Sequence, residues 1–101
     1  MLTNKKVMEI FGEYLAEDQA LDVVWTRRGY AVMLWDYTGR DWSDVVCCAT
    51  PEQLFDKLLS SFVGYQEYQT MKVKGDLEEK DRDRIQEMCL PFWEKRKEME
   101  R

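Results

Sequence analysis

The stretch that decides the fold is LDVVWTRRGYAVMLWDYTGRDWSDVVCCA, residues 21–49. Three runs in it are rich in Val, Trp, Tyr and Met, which favour the pleated surface of a strand. These runs are residues 21–28, 30–37 and 42–49. Arg28-Gly29 separates the first two runs and Thr38-Gly39-Arg40-Asp41 the last two, and both are typical of tight turns. The stretch therefore predicts a three-stranded antiparallel meander.

The parity of the side chains along these runs divides them between two faces, and both faces are apolar. A two-residue turn at Arg28-Gly29 places Trp25 opposite Val32 and Val23 opposite Leu34. With Val45 and Cys47, these residues form the first predicted face. The second is expected to hold Val24, Met33, Trp35, Tyr37, Trp42, Val46 and Cys48. Because a sheet with one wet side alternates apolar and polar residues, this pattern predicts that both faces are covered, wholly or in part.

Helices are predicted before and after the meander in the sequence. The first is capped by Thr3 or Asn4. Its apolar stripe is Val7, Ile10, Phe11, Tyr14 and Leu15. The next begins at Thr50-Pro51-Glu52-Gln53, which combines an N-cap, a proline at the first helical position and a capping-box glutamine. It ends at Gly75, and its stripe from Leu54 to Val63 is expected to cover the sheet.

A last helix is predicted after Gly75, with Asp76 and Glu79 as its capping box. Pro91 removes a backbone donor and is expected to kink or interrupt this helix, and Glu94–Arg101 is expected to fray. The helix over 51–74, about 36 Å long, outruns strands of about 25 Å. Its distal residues are therefore expected to pack on the last helix or on another chain. These distal residues are Tyr65, Tyr68 and Met71.

The predicted fold class is α+β, in the order αβββαα, with a three-stranded antiparallel sheet. The 101 residues fit a single domain. Residues 1–75 would form its α-β-β-β-α core, and residues 76–101 its C-terminal helix. This order is that of a double-stranded-RNA-binding domain. However, Thr50-Pro51-Glu52 stands where such a domain carries basic residues, and this disfavours RNA.

Composition excludes several classes of function. The net charge of −5 disfavours partners that need a basic surface, such as nucleic acids and anionic membranes. No apolar run approaches the roughly 20 residues that span a bilayer, and the N-terminus does not resemble a signal peptide. Three cysteines without an export signal predict reduced thiols in the cytoplasm.

Catalysis and cofactor binding are not expected either. The chain has no histidine, the usual general base and the commonest metal ligand. Cys47 and Cys48 are adjacent on a strand and point to opposite faces, so they cannot clasp one ion without a bulge. The sequence therefore predicts no enzyme, no cofactor and no metal site.

The second sheet face is the first candidate functional site. Its candidate residues are Met33, Trp35, Tyr37 and Trp42. Trp and Tyr are the residues most often found as interface anchors. Either a helix of the chain covers this face, or the face docks a protein partner or a second copy in a homodimer. A non-catalytic protein–protein interaction module is the function that the sequence favours.

An acidic cluster is the second candidate. It comprises Asp36, Asp41, Asp44, Glu52 and Asp56 against the single base Arg40. A glycosidase would need two carboxylates facing each other across a cleft, but these residues lie on turns and at a helix start, and Glu52 is better explained by the dipole of its helix. The alternative function is an inhibitor that mimics nucleic acid and blocks a nucleic-acid enzyme. That function needs a dense array of charges.

The chain also carries a resemblance. The stretch Tyr30-Ala31-Val32-Met33-Leu34-Trp35-Asp36, then Trp42, then Thr50-Pro51-Glu52-Gln53-Leu54-Phe55, resembles short uncharacterised accessory proteins of bacterial conjugative elements and prophages. The similarity extends to the Glu-rich last helix. It implies a bacterial cytoplasmic origin and an accessory role, and it transfers no catalytic residue.

Overall fold

A computed structural model describes residues 1–100. The fold is α+β, as predicted, with a three-stranded antiparallel sheet of order β1-β2-β3 and two C-terminal helices. The elements are α1 (Asn4–Ile10), α2 (Gly12–Glu17), β1 (Leu21–Thr26), β2 (Gly29–Trp35), β3 (Trp42–Cys48), α3 (Pro51–Lys74) and α4 (Glu79–Glu100).

The register between β1 and β2 differs from the predicted one. The turn is Arg27-Arg28, so Thr26 pairs with Gly29 and Trp25 lies opposite Tyr30 rather than Val32. Gly29 is needed inside the strand because its φ is 123° and an added Cβ would collide with the carbonyl oxygen of Cys48. The shift is two residues, so the predicted division of β1 and β2 between the faces still holds.

A β-bulge changes the parity of β3. Trp35 pairs with Trp42 while its neighbour Leu34 pairs with Asp44, which leaves Ser43 as the extra residue. The predicted faces of β3 are therefore right for Trp42 and wrong beyond the bulge. Val45 and Cys47 lie with Met33, whereas Val46 and Cys48 lie with Val32 and Tyr30.

The start and end of α3 are those predicted. The hydroxyl of Thr50 accepts from the N–H of Gln53 at 3.2 Å, and the Gln53 side chain accepts from the N–H of Ala49 at 2.8 Å. Pro51 occupies the first turn, where its missing donor costs nothing. Gly75 ends the helix in a left-handed conformation, with φ 78°.

The core lies on one side of the sheet. Helix α3 crosses the face that carries Leu21, Val32 and Cys48, while α1 and α4 pack on α3 and on each other. Phenylalanines join these layers: the ring centroid of Phe11 lies 5.3 Å from that of Phe55 and 4.6 Å from that of Phe92. The core consists of Leu2, Val7, Ile10, Phe11, Tyr14, Leu21, Val32, Cys48, Leu54, Phe55, Leu58, Phe62 and Cys89.

The predicted first helix is divided at Phe11, which caps the end of α1 and the start of α2. Phe11 is fully buried, and its backbone N–H still donates to the carbonyl of Val7 at 3.2 Å. The apolar stripe therefore continues into the core across the division.

Helix α4 departs from the prediction at both ends. Of the two outcomes predicted at Pro91, a kink or an interruption, the interruption is wrong: the helix continues through this exposed residue, and the neighbouring Phe92 packs on Phe11 and Phe62. The predicted Asp76–Glu79 capping box is wrong, since the Asp81 carboxylate accepts from the N–H of Glu78 at 3.0 Å.

The predicted fraying is wrong for residues 94–100, because α4 stays helical to Glu100, and Arg101 lies outside the described residues. The guanidinium of Arg96 lies 4.7 Å from the centroid of the Phe55 ring, and the Nζ of Lys6 donates to the carbonyl of Met99 at 2.8 Å. Across residues 1–100, no helix combines the length and the apolar composition needed to cross a membrane.

Candidate functional site

The side of the sheet that faces away from the helices is called the open face. It carries Asp22, Val24, Thr26, Gly29, Ala31, Met33, Trp35, Trp42, Val45 and Cys47. Within residues 1–100 no helix packs against these side chains, and none belongs to the core cluster around Leu21, Val32 and Cys48, although Ala31 is itself buried, at 6% exposed. The expectation that a helix of the chain covers this face is therefore wrong. Val24 and Val45 are 44% and 50% exposed.

Two indoles form the centre of the open face. The rings of Trp35 and Trp42 stack across the β2–β3 pair, with centroids 3.4 Å apart and an interplanar angle of 28°. The Nε1 of Trp35 donates to the Asp22 carboxylate on β1 at 2.7 Å. The β-bulge brings the two rings opposite each other. The aromatic pair is therefore held in place by contacts with all three strands.

The predicted interaction residues are brought together in part. Met33, Trp35 and Trp42 share the open face, but Tyr37 lies beyond its end, in the β2–β3 turn, with its side chain fully exposed. Sequence reasoning placed Val45 and Cys47 on the wrong face. The signal that could have found them is Ser43, a polar residue between Trp42 and the Val45-Val46 pair, which is where the bulge falls.

The predicted acidic residues do not form one patch. Asp36 and Asp41 share the β2–β3 turn, whereas Glu52 and Asp56 lie on the first turns of α3, at the opposite end of β3. Asp44 is paired with Lys57 at 3.2 Å.

The Asp36 carboxylate already accepts hydrogen bonds from residues of its own turn. It accepts from the hydroxyl and the N–H of Thr38 at 2.6 and 3.0 Å. These hydrogen bonds, the one from the hydroxyl first, lower the pKa of Asp36 below its ordinary value. Asp36 therefore acts first as the residue that closes the β2–β3 turn.

A cleft of about 700 Å³ lies between α3 and the end of the sheet, and the sequence did not predict it. Its lining includes Leu21, Leu34, Ser60, Ser61, Gly64 and Tyr68. The three small residues on α3 are the signal that was missed. Tyr65 lies here against Tyr14 rather than on α4, and both Tyr68 and Met71 are exposed, so the expected packing of the distal α3 residues is wrong within this chain.

The polar groups of the cleft already have partners within the chain. The hydroxyl of Tyr14 donates to the buried Asp18 carboxylate at 2.7 Å, and that of Tyr65 donates to Glu17 at 3.3 Å. Burial, followed by the Asp18 hydrogen bond, raises the pKa of Tyr14. Because its carboxylates are satisfied internally, the cleft offers no free charge to mark a ligand.

The cysteines are separated as predicted. Cys48 is buried in the core and Cys47 is exposed on the open face. Burial raises the pKa of the Cys48 thiol, so that side chain is an uncharged apolar group at neutral pH. In the part of the chain that the structure describes, no three His, Cys, Asp or Glu side chains gather into a group able to hold a metal ion.

No protein-family model, no curated protein and no solved structure matches this chain. The candidate function therefore depends on the site itself, and the open face is the most distinctive site on the molecule.

Proposed function

We propose that this chain is a non-catalytic protein–protein interaction module that self-associates through the open face. The observation that carries the proposal is the stacked Trp35–Trp42 pair on a sheet face that no helix covers. Exposed contiguous apolar surface on a soluble domain marks an interaction site. Tryptophans held rigidly by their neighbours bind with little loss of conformational entropy.

A second copy is the occupant that fits this face best. Two sheets stack face to face about 10 Å apart when both inner surfaces are apolar, and twofold dimers are the commonest assemblies. The only charged side chain among the strand residues of the open face is Asp22, and its carboxylate already accepts the Trp35 hydrogen bond. Two copies can therefore meet without burying an unpaired charge.

The size of the face predicts a weak dimer. Three strands about 4.8 Å apart and about 23 Å long cover roughly 300 Å² in projection. A standard interface buries about 800 Å² on each partner. Even with its turns, the open face is at the small end, so we expect association in the micromolar to millimolar range.

The experiment compares tryptophans on the two faces. We expect Trp42→Ala to weaken self-association about 30-fold, which corresponds to about 2 kcal/mol for an anchor residue. Sedimentation equilibrium over a concentration series up to about 1 mM measures the dimer constant.

Trp25→Ala is the matched control, because Trp25 is 65% exposed, contacts Tyr30 and lies on the other face. Its removal should leave the dimer constant unchanged. A wild-type chain that stays monomeric, or a dimer that survives Trp42→Ala by pairing edge strands, would overturn the proposal.

The proposal also includes the origin and the location of the protein. The resemblance to accessory proteins of bacterial conjugative elements and prophages supports a bacterial, cytoplasmic module. The separation of Asp36 and Asp41 from Glu52 and Asp56 gives a nucleic-acid mimic no dense array of charges. Self-association through the open face is therefore the function we put forward.

A further inference from the structure

We infer that the second copy docks on the open face with its strands antiparallel to those of the first, so that the two ends of the face are complementary to each other. This inference rests on the proposed function and adds the orientation of the partner. Two independent patterns along the strands, one of side-chain size and one of charge, select the same arrangement.

Side-chain size changes steadily along the open face. The end near the β2–β3 turn holds Met33, Trp35 and Trp42, the largest side chains of the face. The end near the β1–β2 turn holds no side chain larger than that of valine. Its residues are Val24, Thr26, Gly29, Ala31 and Cys47. We call the end near the β2–β3 turn the bulky end and the end near the β1–β2 turn the small end.

A uniform gap between two stacked sheets requires large side chains to face small ones. Interfaces pack as densely as protein interiors, where voids and overlaps both destabilise. In the antiparallel arrangement each Trp35–Trp42 stack rests on the small end of its partner. In the parallel arrangement the two stacks would collide, and the small ends would be left apart.

Charge changes along the same axis. The turn at the small end carries Arg27 and Arg28, both exposed. The bulky end carries three carboxylates against Arg40, a net charge of −2. The carboxylates are Asp22, Asp36 and Asp41. The charges of the two ends cancel, so the net charge of −5 arises from residues elsewhere on the chain.

The antiparallel arrangement brings the two arginines of each copy to the acidic end of the other, twice per dimer. The parallel arrangement would place like charges together at both ends, which is destabilising. Size and charge are set by different residues, so their agreement is not a consequence of one feature.

The test is a charge exchange between two differently labelled chains at low salt, where exposed charges are screened least. One chain carries Arg27→Glu and Arg28→Glu. The other carries Asp36→Asn and Asp41→Lys, where asparagine keeps the acceptor that closes the β2–β3 turn.

Each variant alone should dimerise at least tenfold more weakly than the wild type. Their equimolar mixture should form a 1:1 heterodimer at close to wild-type strength, because both ends are again complementary. Lys72→Glu with Arg82→Glu is the matched control for the chain that carries Arg27→Glu and Arg28→Glu, since it makes the same change in net charge on exposed residues of α3 and α4. That variant should still self-associate.

The possible failures are distinguishable. If Trp42→Ala abolishes self-association but the mixture forms no heterodimer, the open face is the interface and the antiparallel orientation is wrong. The orientation is also wrong if each charge variant self-associates as well as the wild type. If the wild-type chain stays monomeric at about 1 mM, the proposed function fails and the orientation fails with it.

Discussion

The two faces of the sheet have nearly the same apolar composition, but a helix covers only one of them. Val32 on the covered face is 1% exposed, whereas Val45 on the open face is 50% exposed, although their strands are neighbours. The difference arises because α3 crosses only one face, and because α1 and α4 find their apolar partners on α3. Helices that pack on a helix leave the far side of the sheet bare.

This comparison shows that an apolar pattern predicts which residues seek burial but not what will bury them. The second helical layer is held to α3 by rings, with Phe92 stacked on Phe11 and edge-on to Phe62. Aromatic contacts of this kind stabilise the helical layer on the covered side. In this chain they leave the Trp35–Trp42 pair without a cover.

The largest expected loss of stability comes from truncating a side chain at the centre of the covered side. Phe55 is fully buried and lies 4.8 Å from the ring of Trp93 as well as against Phe11. Phe55→Ala should lower the free energy of unfolding by about 3–5 kcal/mol, through lost burial and a residual cavity. Urea unfolding followed by circular dichroism measures this change.

Tyr37→Ala serves as the control for Phe55→Ala. Tyr37 is another aromatic residue, but its side chain is fully exposed beyond the open face. Its removal should change stability by less than about 0.5 kcal/mol. Equal losses in the two variants would contradict the division of the molecule into a covered side and an open side.

Local signals predicted much of this fold. Thr50, Pro51 and Gly75 set the bounds of α3 because caps and prolines act through the nearest backbone groups, which lie within four residues. The αβββαα order followed from runs of strand-forming residues between such signals. Met33 and Trp35 were assigned to one face correctly because the alternation of side chains along a strand is a local property, and Trp42 joins them because it pairs with Trp35 before the bulge at Ser43.

What the sequence did not reveal depends on contacts between distant residues. The observed register of β1 on β2 places Gly29 inside β2, where an added Cβ would collide with the carbonyl of Cys48, and no local pattern records this contact. The bulge at Ser43 reversed the faces of Val45 and Cys47. At Pro91, tertiary packing of Phe92 outweighs a proline that would interrupt an isolated helix.

A smaller effect is expected from the same substitution, valine to alanine, made once on each face of the sheet. Val32→Ala should cost about 2 kcal/mol of unfolding free energy, because two methyl groups leave a packed site. Val45→Ala should cost less than about 1 kcal/mol, since half of that side chain is already in water.

For self-association, the order of the two effects should be reversed, with the larger effect from the substitution on the open face. We expect Val45→Ala to weaken the dimer and Val32→Ala to leave its dissociation constant unchanged in folded protein. Sedimentation equilibrium and urea unfolding of the same two variants provide both measurements. A dimer weakened by Val32→Ala but not by Val45→Ala would place the interface on the wrong side of the sheet.

The smallest effect concerns the outer layer of the covered side, where an ion pair closes the hairpin of α3 and α4. The Nζ of Lys74 lies 2.7 Å from the Asp81 carboxylate. That hydrogen bond lowers the pKa of Asp81 below 3.8 and raises the pKa of Lys74 above 10.5. Because the folded pKa of Asp81 is depressed, its contribution is fully present above pH 3.8 and is lost as the pH falls through the folded value.

Asp81→Asn should therefore destabilise the chain at pH 7, and the difference from wild type should shrink as the pH falls below 3.8. It should shrink again as the pH rises through the raised pKa of Lys74, because a neutral amine no longer pairs with the carboxylate. Asp83→Asn, on the exposed side of α4, is the control and should show neither trend. Since the pair lies on the helical side, Asp81→Asn should leave the dimer constant at pH 7 unchanged. A dimer that weakened with it would mean that the helical layer, and not the open face alone, takes part in self-association.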